Sequence, residues 1–577
     1  MLERILIRNF KRFASVEIEL GDAVLFVGPN NSGKTTALQA LTLWELGVRR
    51  WSEKRGKGSK ARKRTGVAIN RRDLLAVPAP DANLFWRDLH LREVIEVEGK
   101  RKTENVRIEI EVQGVTDDKL WKCGLEFDFA NSESIYCRPL GATDTGNGTP
   151  SLPTPALDVR VAFLPPMSGL ASNETRLDPG AIQVRIGEGR TAEVLRNLCY
   201  QIHQSESIDD WRELSTIVKS LFGVTLEGPT YVPERGEIVM SYRDLEGLVL
   251  DISASGRGLQ QTLLLLAYVF MNPGSVLLLD EPDAHLEILR QRQVYQVLTE
   301  LLRQRKSQLI AASHSEILLN EAAHRDIVVA FVGQPHRIDD RGSQVLKSLK
   351  SIGFEQYYQA EQTGWVLYLE GSTDLAILRA FAEKLGHPAA ALLERPFVHY
   401  IVNQISNADT HFRGLREAKS DLVGFCILDW QESPPASREG LTVATWRRRE
   451  IESYLCFPEV LEAYASRHAE ETAAGPLFLR QERQTLVELM RECIRGRIVQ
   501  DALKDRNDRW WSTVKASDDF LDPVFERFFA RQGLPNLMRK TDYHRLAYLV
   551  PRESIDEEVS EKLDQMVFAV RGARPRV

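Results

Sequence analysis

The chain has few cysteines and no long hydrophobic run. Its six cysteines show no Cys-x-x-Cys spacing, which argues against a zinc ribbon or a disulfide framework and favours reduced, packed thiols. No apolar stretch approaches the roughly 20 residues that a membrane-spanning helix needs. The first residues lead directly into a strand-like segment and do not resemble a signal sequence. We therefore expect a cytoplasmic protein that does not contact a membrane.

Charge of either sign is not in large excess. The chain has 75 Lys and Arg residues against 81 Asp and Glu residues, a net charge of −6. This balance predicts no global attraction to nucleic acid, so any basic surface has to be local. Its 577 residues predict more than one domain, since single hydrophobic cores stop growing at roughly 250–300 residues.

The clearest motif is a glycine-bearing loop at residues 28–35, which read Gly-Pro-Asn-Asn-Ser-Gly-Lys-Thr. An apolar, strand-like run precedes it at 23–27, and a helix-like run follows it at 36–41. A strand that breaks into such a loop and continues as a helix collects backbone N–H groups around one small volume, which suits a polyphosphate. The sequence therefore predicts a nucleotide-binding site here.

Individual residues of this phosphate loop have separate predicted roles. Glycines at both ends let the backbone turn and approach the ligand. Lys34 can reach the β- and γ-phosphates, and the Thr35 hydroxyl can ligate Mg²⁺. We therefore expect ATP and Mg²⁺ as ligands. The predicted ATP-binding residues of the loop are Gly28, Asn30, Asn31, Ser32, Gly33, Lys34, Thr35 and Thr36.

Two regions beyond the loop stand out by composition. Residues 49–72 carry eleven Lys or Arg residues against the single acid Glu53. With glycine and serine between them, they predict a basic loop and not a helix. This loop could follow a nucleic-acid backbone or be a functionally idle insertion. Strict alternation of apolar and polar residues at 93–98 and 106–112 predicts a β-rich region from about 90 to 165.

A second group of motifs lies between residues 253 and 315. An apolar strand at 276–280 ends in Asp280, which could hold Mg²⁺, and is followed by Glu281, which could orient or deprotonate the attacking water. A loop of small residues at 253–261 opens a helix and forms a second terminus suited to anions. A strand at 308–312 leads into His314.

This order of segments resembles the head of the ABC-type ATPases of the structural-maintenance, RecF and OLD families. The resemblance implies a dimer-contact loop at Asp283 and a switch histidine, His314, that senses the γ-phosphate. It also implies a homodimer or a multiple of one, because two such heads enclose two ATP molecules. The long coiled coil of the repair ATPases is missing, since no sustained heptads occur. The implied signature-loop contacts to ATP are Ser255, Gly256 and Gly258.

The second half alternates strand-like and helix-like segments. Strands at 365–369 and 422–428 end in Glu370 and Asp429, with a further strand at 397–402 between them. Such βαβαβ alternation predicts a parallel sheet whose ligands gather at the carboxyl ends of its strands. Carboxylates at that edge are suitable ligands for Mg²⁺ or Mn²⁺ in phosphodiester cleavage. The alternative is that both acids only cap their strands.

This layout resembles the Toprim domain of OLD-type nucleases. The resemblance makes Glu370 the leading acid, Asp374 an accessory one and Asp429 the first acid of an Asp-x-Asp pair. The second position of that pair is Gln431 here, which puts the second metal in question, and Glu432 is a possible substitute. The remaining residues that the resemblance implies are the candidate ligands Glu452 and Glu450, and Lys540, which would stabilise the transition-state phosphate or lie idle on the surface.

Together these patterns predict an α/β chain. An ABC-type P-loop ATPase head with a β-rich insertion would occupy 1–345, and a Toprim-like parallel α/β domain with helical additions would occupy 346–577. By resemblance, ATP would control a metal-dependent nuclease in bacterial anti-phage defence, with nucleic acid and a phage trigger protein as partners. Two alternatives stay open. One is a repair ATPase that does not cut, and the other is an ATP-switched scaffold or sensor whose inactive second domain recruits or restrains a partner effector.

Overall fold

The computed structural model describes residues 1–55, 66–70, 73–74, 77, 79–97, 100–141, 152–167, 169–205, 208–323, 325–338, 353–401, 404–472, 476–498, 502 and 508–575. The chain divides into two compact units, Met1–Leu346 and Lys347–Val577. Among the helices of these ranges, none combines the length and apolar character that crossing a bilayer requires. All six cysteines are buried and free, as their scattered spacing predicts.

The first unit combines two large sheets with helices. Its strands are β1 Leu2–Phe10, β2 Phe13–Glu19, β3 Ala23–Val27, β4 Val67–Asn70, β5 Arg92–Val97, β6 Lys100–Asn105, β7 Ile108–Thr116, β8 Lys119–Asn131, β9 Ser134–Pro139, β10 Val161–Leu164, β11 Thr225–Leu226, β12 Thr230–Val232, β13 Glu237–Val239, β14 Ser241–Arg243, β15 Val249–Asp251, β16 Val276–Asp280, β17 Gln308–Ser313, β18 Ile327–Ala330 and β19 His336–Arg337. Its helices are α1 Lys34–Arg55, α2 Thr154–Leu157, α3 Pro179–Gly187, α4 Leu195–Gln204, α5 Ile208–Phe222, α6 Arg257–Met271, α7 Ile288–Gln304 and α8 Glu316–Ala322.

One sheet is antiparallel, in the order β2-β1-β7-β8-β9-β4, and the other has the order β10-β16-β17-β3-β18-β19. In the second sheet neighbouring strands are parallel except at β19. Strands β3, β16 and β17 are buried along their whole length, as expected for parallel strands covered on both faces. Helix α1 joins the two sheets in one core, which includes its residues Leu38 and Trp44. At Gly47 of α1 a Cβ would lie 2.6 Å from Leu125 on β8, so glycine permits this close approach.

The predicted basic loop at 49–72 is wrong in part. Residues 49–55 form the last turns of α1, because Trp51 and Val48 extend its buried face into the core. Burial of this apolar face outweighs the local concentration of charge, and Arg50 pairs with Glu53 and Asp73 across the surface. Strand β4 follows and pairs with β9. Residues 56–65 and 71–72 of the predicted loop lie outside the described residues.

The second unit is built on a parallel sheet in the order β21-β20-β22-β23. Its core joins one face of this sheet to the helices that follow it, and a π-helix occupies Ala516–Leu521. The strands are β20 Trp365–Leu369, β21 Val398–Tyr400, β22 Val423–Leu428 and β23 Leu441–Thr445, and the helices are α9 Phe354–Thr363, α10 Ser372–Leu385, α11 Ala389–Glu394, α12 Ile405–Ala418, α13 Pro458–Thr472, α14 Pro476–Arg495, α15 Arg509–Thr513, α16 Asp522–Ala530, α17 His544–Ala547 and α18 Glu557–Val570.

Candidate functional site

The phosphate loop follows β3 and leads into α1. Gly33 has φ +105°, and a Cβ there would lie 2.7 Å from Arg12 Cδ. At Gly28 a Cβ would lie 2.7 Å from Ser32 Oγ. The loop conformation therefore depends on glycine at both positions. Asn30 and Asn31 are exposed at its tip, where Asn31 has φ 62°.

Lys34 is directed into this loop. Its side chain is buried, and its ammonium group donates hydrogen bonds to the carbonyl oxygens of Gly28 at 2.6 Å and Pro29 at 2.9 Å. Burial lowers the pKa of Lys34, and the nearby Asp280 and Glu281 oppose that shift. The ammonium group thus lies where phosphate oxygens of a bound nucleotide would compete for it.

The end of β16 meets the start of α1 beside this loop. Thr35 Oγ1 donates a hydrogen bond of 2.8 Å to Asp280 Oδ2. Burial raises the pKa of Asp280 to about 6, the charge of Glu281 adds to that shift, and Thr35 and Lys34 oppose it. A hydroxyl and a carboxylate are oxygen donors of the kind that Mg²⁺ prefers. Ser32 Oγ, buried in the same loop, has no hydrogen-bond partner among the described residues.

Strand order places the other predicted residues at the same edge, because β16, β17 and β3 are parallel neighbours. The Glu281 N–H donates to the Ala312 carbonyl oxygen of β17 at 2.8 Å, with φ 50° at Glu281. His314 Nδ1 is 3.8 Å from Glu281 Oε1. Ser313 Oγ donates a 2.6 Å hydrogen bond to Asp283 Oδ1. The structure therefore brings Asp280, Glu281, Asp283 and His314 together.

The signature loop precedes α6, for which Gly256 is the N-cap. Gln260 of α6 donates to the Ser255 carbonyl oxygen at 3.0 Å. The Asp251 carboxylate accepts from the Ser253 N–H at 2.8 Å and from Arg196 Nη2 at 2.9 Å. Arg196 lies on α4 and is 1% exposed. Our motif analysis did not identify Arg196, whose signal is only a lone charge within an apolar helical pattern.

In the second unit, β20 and β22 are parallel neighbours, so Glu370 and Asp429 follow adjacent strand ends. Burial, a hydrogen bond to Glu370 and the charges of Glu370, Asp374 and Glu450 raise the pKa of Asp429 well above its usual range. Burial and the charge of Glu370 raise the pKa of Asp374 to about 6. Glu370 Oε2 is buried and has no hydrogen-bond donor among the described residues. This pair of carboxyl groups therefore needs a proton or a cation between them.

Three further groups complete this carboxylate cluster, which we define as Glu370, Asp374, Asp429, Glu450 and Glu452. Glu450 Oε1 accepts a 2.5 Å hydrogen bond from the Ser517 N–H of the π-helix. Burial, followed by the charges of Glu450 and Asp374, raises the pKa of Glu452 to about 8. Lys540 Nζ donates to Ser517 Oγ at 3.2 Å, and its charge opposes the shift at Glu452.

The carboxylate oxygens of this cluster suit a metal ion by type, but their present arrangement does not form a metal site. Carboxylate oxygens are the ligands that Mg²⁺ and Mn²⁺ prefer. Within the described part of the chain, however, no group of three or more His, Cys, Asp or Glu residues is arranged to hold a metal ion. Glu432, the possible substitute for the missing second acid, is exposed, and the acids that most raise the pKa of Asp429 are Glu370, Asp374 and Glu450.

A cavity of about 520 Å³ in the first unit is not lined by the phosphate loop or by the acids at the end of β16. Its lining includes Met1, Ser275 and Gln308, which stand at or before the beginnings of β1, β16 and β17. The phosphate loop and the acids of β16 lie at the opposite ends of the parallel strands. We therefore locate the nucleotide site by its polar contacts and not by cavity size.

Comparisons with known proteins concern the first unit. One family model, described as "AAA domain, putative AbiEii toxin, Type IV TA system", matches residues 215–320, and another, "AAA ATPase domain", matches 1–45. Between them these ranges contain the phosphate loop, the signature loop, the end of β16 and His314. The first unit therefore contains an ATPase domain. No curated protein matches the sequence.

Three solved structures with similarity are heads of SMC proteins. A crystal structure of the SMC head bound to the C-terminal winged-helix domain of ScpA is 17% identical, with 58% of this chain and 97% of that chain covered and a TM-score of 0.33. The SMC head domain from Thermotoga maritima is 15% identical, with 58% and 98% covered and a TM-score of 0.30. An SMC head with an extended coiled coil, bound to the C-terminal domain of ScpA derived from Pyrococcus furiosus, is 15% identical, with 58% and 96% covered and a TM-score of 0.32. The second unit lies outside both family matches, so its Toprim-like character stays a prediction.

Proposed function

We propose that the first unit binds and hydrolyses ATP as an ABC-type homodimer and that its nucleotide state controls a metal-dependent nuclease in the second unit. Defence of a bacterial cell against phage is the biological role that this combination favours. The observation that carries the proposal is the gathering of acids at the carboxyl edges of two parallel sheets. Asp280 contacts the phosphate loop through Thr35, and Asp429 lies within a cluster of acids.

In the ATPase unit, Lys34 would exchange its contacts with the Gly28 and Pro29 carbonyl oxygens for phosphate oxygens. Thr35 and Asp280 would hold the Mg²⁺ that arrives with ATP and that neutralises phosphate charge. Glu281 would orient the attacking water, and His314 beside it would sense the γ-phosphate. The signature-loop residues Ser255, Gly256 and Gly258 of a second copy would complete the site.

In the second unit, Glu370, Asp374, Asp429 and Glu452 would hold Mg²⁺ or Mn²⁺. Such an ion would polarise a phosphodiester and activate water. The proposal is supported by the raised pKa values of Asp374, Asp429 and Glu452, because a cation would replace the protons that now limit the mutual repulsion of these acids. Lys540, held by Ser517 next to Glu452, would stabilise charge that develops on the phosphate.

A cleavage assay tests this proposal with plasmid DNA, linear DNA and total tRNA, in Mg²⁺ or Mn²⁺, with and without ATP. We expect the wild-type chain to cut at least one substrate and Glu370→Ala to lose that cleavage while still hydrolysing ATP. Lys34→Ala should lose ATP hydrolysis and any ATP dependence of cleavage. Glu432→Ala is the matched control, because it removes an exposed acid outside the cluster and should cut like the wild type.

A second candidate function is an ATP-switched scaffold that recruits or restrains a partner effector. Two observations favour it: Gln431 replaces the second acid of the pair, and the described acids do not form a three-ligand metal group. In that case no substrate is cut, Glu370→Ala retains anti-phage activity in cells, and Lys34→Ala abolishes it. Equal loss of protection in both variants would eliminate the scaffold and support the nuclease.

A further inference from the structure

An exposed aromatic side chain stands next to the carboxylate cluster. Trp430 follows Asp429 directly, and its side chain is 42% exposed. The Arg449 guanidinium lies 5.8 Å from the centre of the Trp430 ring. The backbone N–H of Trp430 donates to the Arg449 carbonyl oxygen at 3.2 Å. Arg449 in turn precedes Glu450. Each member of this Trp430–Arg449 pair is therefore a chain neighbour of a carboxylate of the cluster.

Two lysines share the Asp518 carboxylate, which follows Ser517 in the chain. Lys515 Nζ is 2.5 Å from Asp518 Oδ2, and Lys540 Nζ is 3.9 Å from Asp518 Oδ1. The hydrogen bond that Lys515 donates to Asp518, together with the charges of Asp518, Glu450 and Glu370, raises the pKa of Lys515, and partial burial opposes that shift. Ser517, which accepts a hydrogen bond from Lys540 and donates its backbone N–H to Glu450, links this lysine pair to the cluster. Both lysine side chains remain nearly half exposed.

The local backbone supports a functional role for this lysine pair. Lys515 immediately precedes the π-helix Ala516–Leu521, and Ser517 of that helix contacts both Glu450 and Lys540. Turns of π-helix are rare and occur frequently at functional sites. Here the π-helix gives its Ser517 backbone N–H to Glu450 and its Ser517 hydroxyl to Lys540, so it joins one acid of the cluster to one cation.

These features match the chemistry of a single nucleic-acid strand. Five carboxylates repel a phosphodiester, so a phosphate that approaches them needs cations such as Lys515 and Lys540 close by. An exposed tryptophan offers a flat surface on which a base can stack, and an arginine over the ring can add to that contact. In a duplex the faces of the bases are already covered by their neighbours. A stacking residue at the cluster therefore suits an unpaired base.

We propose that Trp430 and Arg449 stack an unpaired base while Lys515 and Lys540 bind an adjacent phosphate, so that the second unit takes single-stranded DNA or RNA. This inference rests on the proposed function for the cutting of that strand, but strand binding can be measured without any cleavage.

The test measures binding to the full chain carrying Glu370→Ala, which removes cutting from the measurement. The probes are fluorescein-labelled oligothymidine and oligouridine of about 20 nucleotides, longer than the roughly 4–16 nucleotides that a single-strand site covers, and a blunt duplex of equal length. Fluorescence anisotropy gives Kd at several salt concentrations. The two single-stranded probes distinguish DNA from RNA.

We expect single strands to bind more tightly than the duplex. Adding Trp430→Ala should weaken single-strand binding by about 5- to 150-fold, and Trp430→Phe should restore most of it. Lys515→Ala should reduce the slope of log Kd against log salt by about 0.7. The matched control is Phe568→Ala, which removes an exposed aromatic residue with Arg571 over its ring at 5.7 Å. Unlike Trp430, Phe568 is not adjacent in the chain to an acid of the cluster.

Three results would overturn the inference. They are equal affinities of the Trp430→Ala and Phe568→Ala variants, binding of the duplex at least as tight as that of both single strands, and no binding of any single strand. Since Trp430 is exposed, its replacement should not unfold the chain, and an unchanged Tm verifies this. Failure of the nuclease proposal has a different signature, namely Trp430-dependent binding by the Glu370→Ala chain without cleavage by the wild type.

Discussion

Replacement of Arg196 by methionine tests whether the signature loop is positioned from α4. Arg196 is almost completely buried and donates hydrogen bonds to Asp251 at 2.9 Å and to the Ala171 carbonyl oxygen at 3.0 Å. The adjacent N–H groups of Arg196 and Asn197 donate to the buried Glu174 carboxylate at 2.9 and 2.6 Å. Asp251 caps the turn that opens the signature loop. Arg196→Met leaves the backbone contacts in place and removes the two side-chain hydrogen bonds, one to Asp251 of that turn and one to the Ala171 carbonyl oxygen.

The magnitude follows from the hydrogen bonds that are lost. The Asp251 side chain is 45% exposed, so water screens its charge and the Coulomb term contributes little. A hydrogen bond to a charged group contributes about 1.5–3 kcal/mol, and the Ala171 carbonyl loses its donor at a further cost of about 1 kcal/mol. Methionine retains the apolar contacts of the side chain, so we expect a loss of about 2–4 kcal/mol. With 346 residues in the unit and an unfolding entropy of about 2.1 cal/mol/K per residue, the first unit should melt about 3–6 °C lower.

Calorimetry and steady-state ATP hydrolysis provide the two assays. We expect Arg196→Met to lower kcat by about tenfold, the equivalent of about 1.4 kcal/mol of lost positioning, with little change in the Kd for ATP. Arg190→Met is the matched control. Arg190 is half exposed and pairs with Glu193 at 2.6 Å on the surface, so its replacement should leave Tm and kcat unchanged. A wild-type kcat in Arg196→Met despite a lowered Tm would refute the positioning argument.

Two further predictions concern the phosphate loop and the acids of the second unit. Gly33→Ala should abolish ATP binding in a nucleotide titration, because its φ is +105° and a Cβ would meet Arg12 at 2.7 Å, whereas Gly180→Ala, with open space around it, should bind normally. In EDTA the second unit should melt at progressively lower temperature as the pH rises from about 5 to about 8. Its raised carboxyl pKa values, about 6 at Asp374 and about 8 at Glu452, mean that the folded state binds more protons than the unfolded state across this range. Mg²⁺ should reverse that decline, Glu452→Gln should weaken it, and a Tm that rises with pH in EDTA would contradict the raised pKa values of these acids.

A functional site can be predicted from the sequence when its residues lie in one continuous segment. The phosphate loop depends on glycines and Lys34 within eight residues, and the ATPase family matches include it. Alternation of strands and helices also predicts a parallel sheet with Glu370 and Asp429 at strand ends, and the observed sheet places these two ends on neighbouring parallel strands. By contrast, the helical ending of α1 depends on Trp51 reaching a core formed by distant strands. The residues near this basic segment in the sequence do not reveal that Trp51 is buried against those strands.

Contacts over long sequence separations explain the residues that motif analysis missed. Ser517 reaches Glu450 from 67 residues away and Arg196 reaches Asp251 from 55 residues away. Each is an ordinary residue type in its local context and acquires a role only through tertiary packing. The same applies to Lys515, whose relation to the cluster depends on the π-helix that follows it.

The two strand-end acids show why the two units should respond differently to cations. Asp280 is buried, Asp429 is half-buried, and both have raised pKa values, but Asp280 has the Thr35 hydroxyl and the Lys34 ammonium group as favourable partners. Asp429 faces Glu370, Asp374 and Glu450, so only a proton or an added cation can offset its charge. The nucleotide site therefore has its own cation beside the strand-end acid, while Asp429 is surrounded by acids and would gain most from a cation supplied by solution. ATP binding should persist at acidic pH where divalent-ion binding to the second unit is already lost, and separate titrations of nucleotide and Mn²⁺ at about pH 6 should show this difference.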